Sequence, residues 1–325
     1  MTLNRRRFLN TALAGTAGLA MPGLLTRRAN AATPLTMQAA WINDAEFLGY
    51  YVGMDEGYYA EEGIDLSYLP GGPDVIPESA LLSGRADIAL TAVETTVLAI
   101  TEQGAKFKII GAQYQQHPIG VVSLASSNIN TPRDLIGKTL ACPPVNLATA
   151  KAMLMLAGVD EADVRIVPYE YDPTPLIEGN IDASIDFTTN VPHAIEEQGV
   201  AVNSFLLHDF GFTVYADTVV VTEETLAKKR DMLVKWLRAS RKGWDTAFVD
   251  PAAYPPQYAN TWFEGTGRSI ANEIYFATAE KPLMVHPQGI FTMTEEDIAQ
   301  NITALEAVGI KATREMFDTT LLADI

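Results

Sequence analysis

The sequence predicts an α/β fold of two similar lobes, each a mainly parallel sheet flanked by helices. Three observations predict it. Short apolar runs of strand character alternate with longer helical stretches from residue 35 onward. The strand–helix–strand rhythm of residues 35–112 returns over 121–187. No low-complexity tether separates the two stretches, so short crossing segments should join the halves.

The first strand is read over Leu35 to Ala40, followed by an aromatic-rich helix from Glu46 to Glu61 that stops at Gly63. Alternating apolar residues over Ile64 to Leu69 give the second strand. Gly71-Gly72-Pro73 is a turn, Val75 to Ser83 a helix stopped by Gly84, and Ala86 to Leu90 the third strand. A helix over Glu94 to Gln103 closes at Gly104, and Phe107 to Ala112 is the fourth strand. The second unit opens near Gly120, with strands at Val121–Leu124, Lys138–Ala141, Val164–Pro168 and Ala183–Phe187. Thr131-Pro132-Arg133-Asp134 carries a capped turn, and Leu147 to Ala157 is a helix with Gly158 beyond its end. From Glu223 the chain turns mostly helical, at 223–248, 268–279 and 294–307, and these helices should pack back on the first lobe.

The chain has 325 residues, a mean hydropathy of +0.06, 23 basic and 40 acidic side chains, and a net charge of −17. That balance argues against nucleic acid or an anionic membrane surface as main partner, since both need clustered Lys and Arg. Residues 1–31 are the exception. They hold Arg5, Arg6, Arg7, Arg27 and Arg28 and no acid, around a short apolar stretch interrupted by Pro22 and Gly23. With the small-residue site Ala29-Asn30-Ala31, this reads as an export signal of the twin-arginine type, carried by Arg5-Arg6-Arg7-Phe8-Leu9. Residues 1–31 are therefore expected to be removed and the remainder to work in the periplasm, without stable membrane insertion. Without the five signal arginines, 18 basic face 40 acidic residues, a net charge of −22.

Reaction chemistry is hard to find in the sequence. There is no Gly-x-Ser-x-Gly elbow and no His-Glu-x-x-His pair. Gly137-Lys138-Thr139 resembles the end of a phosphate-binding loop, but Pro132 stands where the leading glycine belongs. The four histidines (His117, His193, His208, His286) show no i, i+4 spacing. One cysteine, Cys142, excludes an intramolecular disulfide and a cysteine-built metal site. No cofactor and no metal are expected.

A series of motifs runs through the rest of the chain in order: Glu46-x-x-Gly49-Tyr50-Tyr51-Val52-Gly53, Glu56-Gly57-Tyr58-Tyr59, Glu62-Gly63-Ile64-Asp65-Leu66, Pro70-Gly71-Gly72, Leu82-Ser83-Gly84-Arg85-Ala86-Asp87, Thr131-Pro132-Arg133-Asp134-Leu135 and Ile177-Glu178-Gly179-Asn180-Ile181-Asp182. The set resembles the periplasmic solute-binding proteins of ABC importers, and within them the branch for thiamine-pyrimidine precursors, riboflavin, sulfonates and nitrate. The resemblance implies a type II binding-protein fold with lobe 1 at 33–116 plus 220–325 and lobe 2 at 117–219. It implies crossings near Gln113–Gly120 and Phe212–Val221 and a ligand held between the lobes. The implied partner is an ABC permease with its ATPase.

In α/β sheets, ligands meet the loops at the carboxyl ends of strands. Those loops supply Trp41, Asn43, Glu46, Gly72, Thr91, Glu94, Gln113, Tyr114, Asn146, Asp186, Phe187 and Thr188, with Tyr215 and Asp217 near the second crossing. Tyr51 is a further candidate, packing being the alternative for a helix that also carries Tyr50, Tyr58 and Tyr59. None of these loops contains Lys or Arg, which opposes a sulfonate or nitrate and suits a flat heterocycle with amino groups. An aminopyrimidine-like thiamine precursor is the expected ligand. The competing readings are a sulfonate, taurine or nitrate receptor, which a basic residue entering the cleft would favour, a pyrimidine-synthase-like enzyme, and a sensor domain.

Overall fold

A computed structural model describes residues 32–325, and the export-signal expectation for residues 1–31 lies outside the described residues. The described residues form ten strands: β1 (Thr33–Gln38), β2 (Ile64–Leu69), β3 (Ile88–Thr91), β4 (Phe107–Tyr114), β5 (Ile119–Leu124), β6 (Thr139–Cys142), β7 (Arg165–Pro168), β8 (Ala183–Phe187), β9 (Val202–Leu206) and β10 (Ala216–Thr222). They form two five-stranded sheets, in the orders β2-β1-β3-β10-β4 and β7-β6-β8-β5-β9.

Both sheets are mixed in the same way. In the first, β1 pairs in parallel with β2 and β3, while β10 is antiparallel to β3 and β4. In the second, β6 is parallel to β7 and β8, while β5 is antiparallel to β8 and β9. Four strands in each sheet thus run one way and one runs against them. The reversed strands, β5 and β10, are those by which the chain enters a sheet from the other one, after 115–118 and 207–215. The sequence run at Phe212–Val221, read as a crossing, is mostly β10.

The helices among the described residues are α1 (Leu48–Asp55), α2 (Tyr58–Glu61), α3 (Pro77–Leu82), α4 (Val93–Gln103), α5 (Leu147–Leu156), α6 (Thr174–Ile177), α7 (Val191–Glu196), α8 (Glu223–Ala247), α9 (Pro255–Tyr258), α10 (Ile270–Met284) and α11 (Glu295–Ala307), of which the short α7 and α9 answer to no expectation from the sequence. The single helix expected over Glu46–Glu61 is broken. A 3-10 turn over Ala45–Phe47 precedes α1, and Gly57 at φ +77° ends it before α2. A left-handed residue cannot continue a right-handed helix, and glycine reaches that region without a Cβ clash.

The C-terminal helices pack on the first sheet, as their apolar residues require. Trp236, Leu237 and Trp244 of α8 and Phe276 of α10 are fully buried among Leu35, Met37 and Ile110. Here α1 and α8 approach so closely that a Cβ on Gly243 would lie 2.2 Å from the carbonyl oxygen of Gly49. Any larger residue at 243 would push the helices apart.

Candidate functional site

A cavity of about 420 Å³ lies between the two sheets. Its wall is built from the ends the α/β rule names. Trp41 follows β1, Gly72 follows β2, Thr91 ends β3 and Glu94 opens α4, while His117 follows β4. From the second sheet come Asn146 after β6, Tyr171 after β7, and Asp186 and Phe187 at the end of β8. Asp217 enters at the start of β10, because an antiparallel strand begins where its parallel neighbours end.

Of the sequence candidates, Trp41, Glu46, Gly72, Thr91, Glu94, Asn146, Asp186, Phe187 and Asp217 line this cavity. The remaining candidates are not on its wall, for identifiable reasons. Tyr51 is fully buried in an aromatic cluster, stacked on Trp262 at 4.4 Å and sharing a 3.1 Å hydroxyl contact with Tyr68. Tyr114 turns its hydroxyl away to donate to Glu280 Oε2 at 2.6 Å. Tyr215 is buried with its backbone N–H on Asn301 Oδ1 at 2.6 Å. Thr188 Oγ1 donates to the Pro118 carbonyl at 3.2 Å. Asn43 keeps its Oδ1 buried beside the turn at Asp44. Gln113 stands behind the wall as a support: its Nε2 donates to the Glu46 carbonyl at 2.7 Å and to Asp217 Oδ2 at 3.1 Å, and its Oε1 accepts from Tyr50 at 2.8 Å.

The wall also holds Arg268, Tyr171 and His117, which the strand-end reading did not supply, and Asn190, the last residue of the candidate loop after β8. Arg268 corrects the expectation that no basic residue enters the cleft. It precedes α10, where Ser269 Oγ caps the helix by accepting from the Asn272 N–H at 2.9 Å, which fixes residue 268 just outside the helix. The guanidinium pairs with the fully buried Asp44, and the Asn190 amide oxygen accepts from both of its terminal nitrogens at 2.7 and 3.2 Å. Tyr171 follows an edge strand without a recognisable motif, and its left-handed backbone (φ +59°) carries its ring to 4.9 Å from that of Trp41.

The electrostatics of the wall follow from burial. Desolvation drives the Asp186 carboxyl up to about 7, although the Ser184 hydroxyl donates to it at 2.5 Å and Arg268 attracts its charge. Its Oδ1 has no partner. Glu94 is raised by the same cause; its Oε1 accepts from Thr149 of the second sheet's half at 3.2 Å and its Oε2 is unpaired. Burial, joined by repulsion from Asp217 and Asp44, raises Glu46 well above the carboxylate range, and burial lifts Asp217 to about 7. His117 is pushed down to about 3 by burial and by His208. Its Nδ1 accepts from the Ile119 N–H at 3.1 Å, so the neutral ring carries its proton on Nε2 and can only donate there. The wall therefore offers aromatic faces, one neutral imidazole donor and several carboxyl groups that accept N–H donors.

The sequence pattern described as NMT1/THI5 like matches residues 44–254. The chain belongs to the NMT1/THI5-like family. Within the range of this family, the riboflavin-binding protein RibY of Chloroflexus aurantiacus is 28% identical over 222 residues, 67% of this chain and 63% of that protein. The formylaminopyrimidine-binding protein of Halalkalibacterium halodurans is 25% identical over 217 residues, 65% of each chain. The chain thus spans just under two thirds of the length of these two relatives. A 4-amino-5-hydroxymethyl-2-methylpyrimidine phosphate synthase of Legionella pneumophila is 25% identical over 64% of this chain and 67% of its own. Among solved structures, the periplasmic aliphatic sulphonate binding protein SsuA of Escherichia coli superposes with a TM-score of 0.67 at 14% identity, over 83% of this chain and 90% of that one. The NMT1/THI5-like chain described here therefore has the two-sheet fold of periplasmic binding proteins.

Proposed function

We propose that the protein is the solute-binding receptor of an ABC importer. In this reading it takes a small planar amino-heterocycle of the aminopyrimidine type into the cavity between its sheets and passes it to a permease. The observation that carries the reading is the wall itself, in which Trp41, Tyr171 and Phe187 offer ring faces while Asp186 and Glu94 hold unpartnered carboxyl oxygens beside them. A flat ring stacks on the former and its amino groups donate to the latter. The binding-protein relatives support the receptor class, and the arginine-rich N-terminus supports export by the twin-arginine route to the periplasm. The two lobes of this reading are 33–116 plus 220–325 and 117–219.

Recognition without turnover agrees with the site chemistry. Cys142 is buried off the cavity wall and pushed up to about 12 by desolvation, first, and by Asp186, so its thiol is not a nucleophile. His117 is held neutral. These features oppose the synthase reading. Arg268 favours a second reading, an acid-bearing ligand such as a sulfonate, anchored on the guanidinium. Asp44 and Asn190 already engage that group, which ranks this reading second.

A thermal-shift panel of the protein from Ala32 tests the proposal, with 4-amino-5-hydroxymethyl-2-methylpyrimidine, thiamine, riboflavin, taurine, alkanesulfonates and nitrate. A ligand at a hundredfold excess over its dissociation constant adds about 2.7 kcal/mol of stability. Stabilisation by the aminopyrimidine is the expected result. Stabilisation by sulfonates or nitrate alone would move the assignment to Arg268 and the second reading.

A further inference from the structure

In the cavity wall, Glu46 and Asp217 form a carboxyl pair with an unusual setting. Both residues line the cavity and are nearly fully buried, with their carboxyl groups close enough to repel when both are charged. Gln113 clamps the pair by bonding the Glu46 carbonyl and Asp217 Oδ2 together. Asp217 is held at φ +45°, a left-handed conformation that a non-glycine residue on a strand adopts only when its surroundings impose it. The surrounding elements add acids rather than cations. Asp44 stands on the same turn, and Glu273 and Glu280 come from α10, each with one unpartnered oxygen. Tyr50, Tyr68, Tyr114 and Tyr171 approach from α1, β2, β4 and the second sheet's half. Among the described residues Arg268 is the one cation of this cluster, and it is taken up by Asp44.

Two buried carboxyls this close do not both ionise, so the pair shares a proton and leaves one negative charge that no cation pairs with directly, Arg268 being bonded to Asp44. We propose that Glu46 and Asp217 hold the ligand as a cation: a protonatable amino-heterocycle whose ring N–H faces this pair while its amino group reaches the unpaired carboxyl oxygens of Asp186 or Glu94. The inference rests on the receptor reading and deepens it by specifying the ligand's charge state. The proton count closes in either form. When the ligand enters as the neutral base, the shared proton moves from the pair to the ring nitrogen and none is released. When it enters already protonated, the pair's proton leaves to solvent as the cation takes its place. Such a site selects against neutral rings lacking a basic nitrogen and against fixed anions.

The test is nitrogen NMR of 4-amino-5-hydroxymethyl-2-methylpyrimidine, labelled with ¹⁵N in the ring, bound to the wild-type protein at about pH 8, where the free base is neutral. The bound ring nitrogen should show the shift and one-bond coupling of a protonated N–H. Asp217→Asn keeps the left-handed backbone accessible, since Asn tolerates it. In this variant and in Glu46→Gln, the bound probe should be unprotonated and its affinity lower by about tenfold to a hundredfold. A ring that stays neutral in the wild-type complex overturns the inference and leaves the receptor reading standing. An absence of any bound probe overturns the aminopyrimidine reading and, with it, this inference.

Discussion

The two walls of the cavity carry acidic groups of different kinds. On the first sheet's side, Asp44 is fully buried, paired to Arg268 and bonded at Oδ1 to the Glu46 N–H at 3.1 Å. It caps a turn and balances a cation, so its charge serves the fold. On the second sheet's side, Asp186 sits at the end of β8 with Ser184 on one oxygen and nothing on the other. No cation is bonded to it; its charge is eased only by the Ser184 and Tyr169 hydroxyls and by the attraction of Arg268. A buried carboxyl whose partners are complete is architecture, while one left half-paired in a cavity wall keeps an oxygen free to accept a donor from outside the chain.

The strongest way to break this comparison is Arg268→Ala. It strands Asp44 as an uncompensated buried charge and should cost about 3–5 kcal/mol of stability. Urea denaturation measures it, and a loss below about 1 kcal/mol would mean that the Asp44 charge is not structural. Asp186→Asn should do the opposite. Stability should change little, while aminopyrimidine binding weakens by about 1.5–3 kcal/mol as a charged acceptor is lost. Trp41→Ala should weaken binding by about 1–3 kcal/mol, the scale of losing one ring-stacking face. Both are read by titration calorimetry.

Proton linkage sharpens the same contrast. Asp186 and Asp217 rise to about 7 and Glu273 to about 8 on folding, each chiefly through burial. The folded state therefore binds more protons than the unfolded chain between roughly pH 4 and pH 8. Their contribution is complete at acid pH and is lost as pH rises through 7 to 8, so the ligand-free protein should be more stable near pH 5 than near pH 8. Asp217→Asn should flatten that slope in denaturation curves recorded across the range. The smallest effect belongs to Tyr51→Phe, which removes only the hydroxyl contact with Tyr68. It should cost less than about 1.5 kcal/mol of stability and leave ligand affinity unchanged.

These contrasts also explain what could be read from sequence. The strands from β1 to β8 along the chain, the positive-φ glycines at 63, 84, 104 and 158, and the three long C-terminal helices follow from local rules of periodicity and backbone freedom, whereas β9 and β10 and the order of strands within each sheet do not. Trp41, Asn146 and Asp186 follow from one topological rule, because each stands just past or at the end of a parallel strand. Tyr51 and Trp41 are both aromatic residues near β1, and no pattern separates one on a helix's buried face from one on a loop over a cavity. Arg268 belongs to no strand end. It reaches the cavity through the packing of α10 against the Ala45–Phe47 turn, a contact between residues more than two hundred positions apart, which residue spacing does not encode.

The most direct test of the account is calorimetric titration of 4-amino-5-hydroxymethyl-2-methylpyrimidine into the wild-type protein, Trp41→Ala and Asp186→Asn. The account predicts saturable binding of one equivalent to the wild type and weaker binding to each variant, with all three proteins folded. No heat from the aminopyrimidine, together with saturable binding of an alkanesulfonate that both substitutions leave unchanged, would contradict it.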